Sequence, residues 1–172
     1  MNARIEGKPG PVKNRTTVEK SDREVVVTRT VNGPARIVFE AFTKAELLKR
    51  WWVPKSMGMK LLSCETDPRV GGKYRLVFDV GGAEPAAFFG TYVEVQPYSR
   101  LAWTNEEGGG GGGGSVTTVT FEEKGGKTLV VLREKYPSKE ALDAAGGASD
   151  AMGETFDQLD ELLVARGESS AQ

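Results

Sequence analysis

The spacing of apolar residues changes several times along this chain, and each change marks an element. Glu24 to Val31 is almost entirely β-branched and predicts a strand. From Asn32 to Pro54 the period becomes helical, with Ile37, Val38, Ala41 and Phe42 on one face. Asn32 is placed to cap the first turn, where Pro34 is tolerated because an N–H there has no partner. Thr43 with Glu46 three residues on has the form of a capping box. It predicts a second short helix through Leu47 and Leu48 into Trp51-Trp52, ended by Pro54.

A run of strand signals follows. Met59 to Thr66 predicts a strand, and Asp67 to Gly72 a turn. From Lys73 the alternation is regular, with Tyr74, Leu76, Phe78 and Val80 on one face and Lys73, Arg75 and Asp79 on the other, as in a sheet with one buried side. Gly81-Gly82 leads into Ala86 to Gln96, Pro97 to Arg100 turns the chain, and Leu101 to Asn105 is the next strand. Gly108 to Gly114 joins it to Val116 to Phe121. This glycine run lacks the Lys-Ser/Thr and the following helix of a phosphate loop, so it predicts a mobile hairpin tip. Gly125-Gly126 then turns into Thr128 to Tyr136.

Pro137 closes the strands, and Ser138 caps a short helical turn interrupted by Gly146-Gly147. From about Ser149 to Arg166, Met152, Phe156, Leu159 and Leu163 form one helical stripe, with Glu154, Asp157, Asp160 and Glu161 largely opposite and Gly167 as the stop. The predicted order is β-α-α-β6-α: a seven-stranded antiparallel sheet, a helical pair crossing one end, and a final helix over the open face. Residues 22–167 form this single α+β domain. Residues 1–21, polar and poor in large apolar side chains, are expected to be a flexible arm, and 168–172 a frayed tail.

Composition narrows the chemistry. The 172 residues carry 23 basic and 24 acidic side chains, so no strongly basic face for nucleic acid and no polybasic run for a membrane is expected. Apolar runs are far shorter than the about 20 residues that span a bilayer, and the first residues lack the apolar segment of a secretory leader, so a cytoplasmic protein is expected. Cys64 is alone, so an internal disulfide is excluded while pairing between chains, and a homodimer, stays open; its expected role is a half-buried strand thiol. There is no histidine. That removes Ser-His-Asp and Cys-His sites and any His-containing zinc site, and no metal or cofactor is expected.

Several short pieces, in order, resemble a known family: Pro34-Ala35 with Val38 to Phe42, Arg50-Trp51-Trp52 with Pro54, Gly71 to Arg75, Gly90 to Val95, and Arg100-Leu101 with Trp103-Thr104. From about Asp22 to Arg166 the chain resembles a START-type (SRPBCC superfamily) helix-grip domain, within it the family related to the C-terminal domain of the activator of heat shock protein 90 ATPase. The resemblance implies a curved sheet wrapped around the long C-terminal helix, with an apolar cavity between them. The residues placed to line it are Phe39, Trp51, Trp52, Tyr74, Phe78, Phe89, Tyr92, Trp103, Met152, Phe156 and Leu159, each weighed against plain core packing. Neighbours at a helix end cannot both point inward, so one of Trp51 and Trp52 is expected at the rim. Relatives often carry His where this chain has Phe89, which makes the implied pocket more apolar.

Arg75, Glu94, Arg133 and Glu134 are the nearest charged candidates. Alternation turns Arg75 outward and leaves the orientation of Arg133 and Glu134 open. With no catalytic residues identified, the resemblance implies a non-catalytic module for a small apolar or amphipathic molecule. The alternatives it carries are a cyclase- or aromatase-like enzyme, which needs an inward acid, base or Tyr, and a chaperone partner of the kind the family name describes.

Overall fold

A computed structural model describes residues 16–82, 84–106, 114–144 and 151–171. Most of the expected N-terminal arm and Gly108 to Gly113 of the glycine run lie outside these residues. The sheet has eight strands in the order β1-β2-β8-β7-β6-β5-β4-β3, every neighbouring pair antiparallel. They are β1 Thr17–Lys20, β2 Glu24–Val31, β3 Lys60–Thr66, β4 Lys73–Asp79, β5 Ala86–Gln96, β6 Arg100–Asn105, β7 Ser115–Lys124 and β8 Lys127–Lys135. The helices are α1 Ala35–Thr43, α2 Ala45–Trp51, α3 Lys139–Ala144 and α4 Met152–Ala171.

Seven strands were expected; the eighth, β1, comes from the stretch assigned to the arm. Thr17-Val18 is too short a β-branched run to stand out among charged neighbours. Pairing makes it a strand: Val18 lies opposite Val27, and Thr16 Oγ1 accepts a hydrogen bond from buried Arg29 Nη1 at 2.8 Å. The strand Glu24–Val31 pairs with β8 over its whole length and so belongs to the same sheet.

The helix caps differ from the expected ones. Pro34, not Asn32, precedes α1, and the Ala35 N–H donates to Glu123 Oε1 at 2.9 Å. Thr43 caps nothing. It is buried in the last turn of α1, where its hydroxyl donates to the Phe39 carbonyl, so α2 starts after Lys44 with no side-chain cap. At the far end, α4 runs past Gly167, which therefore does not end it. Ser138 does cap α3, its Oγ accepting from the Ala141 N–H at 3.1 Å.

Alternation buries Tyr74, Leu76 and Phe78 of β4, while Val80, past the strand end, is exposed. The buried faces of β2, β8, β7 and β6 continue this layer through Val27, Val31, Val130, Leu132, Val119, Phe121 and Leu101. Against it pack Phe42 of α1, Trp51 of α2 and the stripe Phe156, Leu159, Leu163 of α4.

The acidic side of α4 is not all solvent-facing. Arg29, on the inner face of β2 and 2% exposed, reaches Asp160 at 2.6 Å and Asp157 at 2.9 Å, and Asp160 Oδ1 also accepts from the Asn32 N–H. Gln158 holds the other neighbour of α4. Its Nε2 donates to the carbonyls of Trp51 and Val53, both at 2.9 Å, and its Oε1 accepts from the Lys55 N–H. One side chain thus closes the C-terminal end of α2, where backbone carbonyls have no helical partner. Gln158→Leu is expected to cost about 1–3 kcal/mol for the carbonyls left unpaired, with a red-shifted tryptophan emission reporting the freed Trp51-Trp52 corner.

Candidate functional site

A cavity of about 70 Å³ lies between the inner face of β4, β5 and β6 and the end of the helical pair. Phe42 comes from α1, Leu48 from α2 and Trp52 from just beyond it; the sheet supplies Tyr74, Leu76, Phe88, Tyr92, Trp103 and Asn105. None comes from α4. Phe156 and Leu159 of that helix are fully buried, and the Phe156 ring stacks on Trp51 at 6.1 Å, so these two side chains pack as core.

Four of the eleven residues proposed from the sequence are therefore on the cavity: Trp52, Tyr74, Tyr92 and Trp103. The adjacent tryptophans divide as expected of neighbours at a helix end. Trp51 is fully buried with its Nε1 donating to the Ala41 carbonyl at 2.9 Å, and Trp52 is only partly buried at the wall. Phe39 packs on Tyr98 and Phe121, Phe78 packs on Phe88, and Met152 is partly buried against the core. Phe89 is exposed. Counting back from inward Tyr92 by twos gives Gly90 and Phe88, so Phe88 takes the place proposed for Phe89 and the residue at 89 does not set the polarity of the cavity.

The charged candidates all lie off the lining. Arg75 is exposed, Glu94 pairs with Arg100 at 2.8 Å, and Arg133 lies 3.7 Å from Glu24 with its side chain mostly exposed. Glu134 shares the inward parity of Val130 and Leu132 and accepts from Ser115 Oγ at 2.9 Å. Through Ser115 it continues into a polar ladder that the sequence reading missed. Asn105 Nδ2 donates to Ser115 Oγ at 2.9 Å and to Thr117 Oγ1 at 3.0 Å, and the Tyr74 hydroxyl lies 2.9 Å from both Asn105 Oδ1 and the Thr104 carbonyl. The cavity is thus aromatic along its walls and polar at one end.

Gly90 makes that end. It lies opposite Tyr74 in the ladder, and a Cβ built there would stand 1.8 Å from the Thr104 carbonyl oxygen and 2.8 Å from Tyr74 Cε2. Only a bare backbone lets the phenol lie across β5 to reach β6. Gly90→Ala is expected to cost about 1–3 kcal/mol as an overpacked site, measured by chemical denaturation; a loss under about 0.5 kcal/mol would mean that the backbone yields and the close approach is not needed.

The second phenol, Tyr92, is 3% exposed and lines the cavity. Burial, and more weakly Cys64 and Asp67, push its pKa further above the usual tyrosine range. Burial likewise raises Cys64, a half-buried strand thiol and so a poor nucleophile at neutral pH. Among the described residues no cluster of His, Cys, Asp or Glu could hold a metal ion, and no helix is long and apolar enough to cross a membrane.

The family model for Activator of Hsp90 ATPase homolog 1-like protein matches residues 32–164 of this chain. Among solved structures, a protein from Rhodobacter sphaeroides is 21% identical with a TM-score of 0.78, the match covering 88% of this chain and 99% of that one. One from Nitrosomonas europaea is 22% identical at TM-score 0.75 over 87% and 99% of the two chains. A third, from Chromobacterium violaceum, is 27% identical at TM-score 0.66 over 82% and 97%. No curated protein matches the chain.

Proposed function

Since the chain belongs to the Activator of Hsp90 ATPase homolog 1-like family, we propose that it is a binding module holding a small apolar or amphipathic molecule, without catalysis, in the cavity beneath α1 and α2. The observation that carries this reading is the lining itself: eight apolar or aromatic side chains and one amide, with no charged group among them. Apolar walls with a few placed polar atoms are the usual composition of a ligand site.

Size limits the ligand. About 70 Å³ is room for roughly two waters, well below the about 300 Å³ of a typical drug-sized pocket. A ligand no larger than a single ring or short chain fits only as Phe88, the exposed residue of the lining, swings aside. Two of the three tryptophans, Trp52 and Trp103, touch the space. Titration with toluene or a short-chain alcohol should therefore shift tryptophan emission with a saturable curve. A flat response across a panel of single-ring and short-chain compounds removes the proposal.

An acid–base enzyme is the second reading, favoured by the inward phenols. The chemistry weighs against it. Tyr74 and Tyr92 are the titratable groups of the lining, and a tyrosine whose pKa is raised by burial is far from the neutral range in which a general base works best.

A further inference from the structure

Resting on that binding reading, we infer that Phe88 is the residue that selects the ligand by size, its ring being the movable wall that favours single-ring molecules over fused-ring ones. The first observation is its place. Phe88 lies opposite Leu76 in the β4–β5 ladder, on the inward side of β5 with Gly90 and Tyr92, and it lines the cavity. It is 42% exposed, whereas the buried members of the lining are each at most 9% exposed. Its ring therefore stands between the cavity and solvent.

The second observation is that the other partly exposed lining residues, Trp52 and Asn105, are held in place. Trp52 meets the rings of Trp51, Phe42 and Trp103 edge-on at 5.3, 6.4 and 6.4 Å, and Gln158 fastens the carbonyls of Trp51 and Val53 on either side of it. Asn105 is bound by Ser115, Thr117 and Tyr74. Phe88 has an edge contact at 5.4 Å with Phe78, which is 1% exposed. Swinging Phe88 out gives up that contact and wets apolar surface of Phe78, which favours the closed position. The larger the bound molecule, the further the ring must stay out, so the penalty grows with ligand size.

The test uses the full chain and its Phe88→Ala, Phe88→Leu and Phe89→Ala variants, each titrated by calorimetry with phenol and 2-naphthol, which differ by one fused ring. The readout is the affinity for 2-naphthol relative to phenol. Phe88→Ala is expected to raise this ratio about 10-fold over the parent, the lower end of what an apolar group newly admitted to a pocket contributes, with Phe88→Leu in between. Phe89 is the exposed neighbour on the outward side of β5, so Phe89→Ala should leave the ratio at the parent value. A ratio unchanged in Phe88→Ala, or raised as much by Phe89→Ala, overturns the inference while leaving a binding module. If Phe88→Ala unfolds, an unchanged ratio in Phe88→Leu overturns it equally. Failure of both compounds to bind the parent chain removes the module and the inference together.

Discussion

Arg29→Ala is expected to lower the unfolding free energy by about 3–5 kcal/mol, the usual cost of removing one member of a buried ion pair. The guanidinium is 2% exposed and holds Thr16 of the preceding segment, Asp157 and Asp160 of α4. Its removal leaves two carboxylates one helical turn apart, with the Asp160 side chain only 13% exposed. The contact joins β2 to α4 across 131 positions of sequence, so its loss should loosen the helix that closes the fold. Arg29 Nε is itself a buried donor without a partner among the described residues. Arg29→Met combined with Asp160→Leu should therefore recover about half or more of the loss, because an apolar pair of similar volume carries no desolvation penalty. The two positions touch, so their effects should not add. Additive losses in urea denaturation would mean that the charges do not interact in the folded protein.

The order of strands and helices was legible because each element carries its own period, and hairpins joined by Gly81-Gly82 and Gly125-Gly126 leave little freedom in how neighbours pair. What the periods do not carry is a contact between distant elements. Asp157 and Asp160 read as the wet side of α4 because nothing local signals the arginine on β2. Gln158 read as nothing, yet its amide closes the end of α2. Thr43 and Glu46 matched a capping box in spacing, and burial of Thr43 overrode it.

For the cavity, the aromatic stock was visible and its division was not. Alternation alone would have exchanged Phe89 for Phe88, counted from Tyr92 through Gly90. Asn105 was hidden at a strand end, where a polar residue suggests a turn. Its partners Ser115 and Thr117 lie across the glycine run on the next strand. The eighth strand was missed for a related reason: Thr17–Lys20 acquires its structure from pairing with β2 rather than from its own composition.

Phe156 poses the sharpest version of the division between core and cavity, because its place in the apolar stripe of α4 fits either. The ring has no exposed surface, stacks on Trp51 at 6.1 Å and an interplanar angle of 27°, and is absent from the cavity lining. Phe156→Ala is therefore expected to cost about 3–5 kcal/mol, the transfer of a whole ring plus the hole left behind. Trp51 is held by its own hydrogen bond to Ala41, so the hole should not be refilled by a simple shift of that ring. Affinity for toluene or phenol should change less than about 3-fold, since the removed ring lies outside the ligand's walls and distant effects of this kind are commonly a few tenths of a kcal/mol. A stability loss below about 1 kcal/mol in chemical denaturation would mean that a void already adjoins Phe156, and the site would then extend to α4. A large loss of both stability and binding would instead tie the aromatic wall at Trp52 to the packing of Trp51 behind it, making the core and the cavity one cooperative unit.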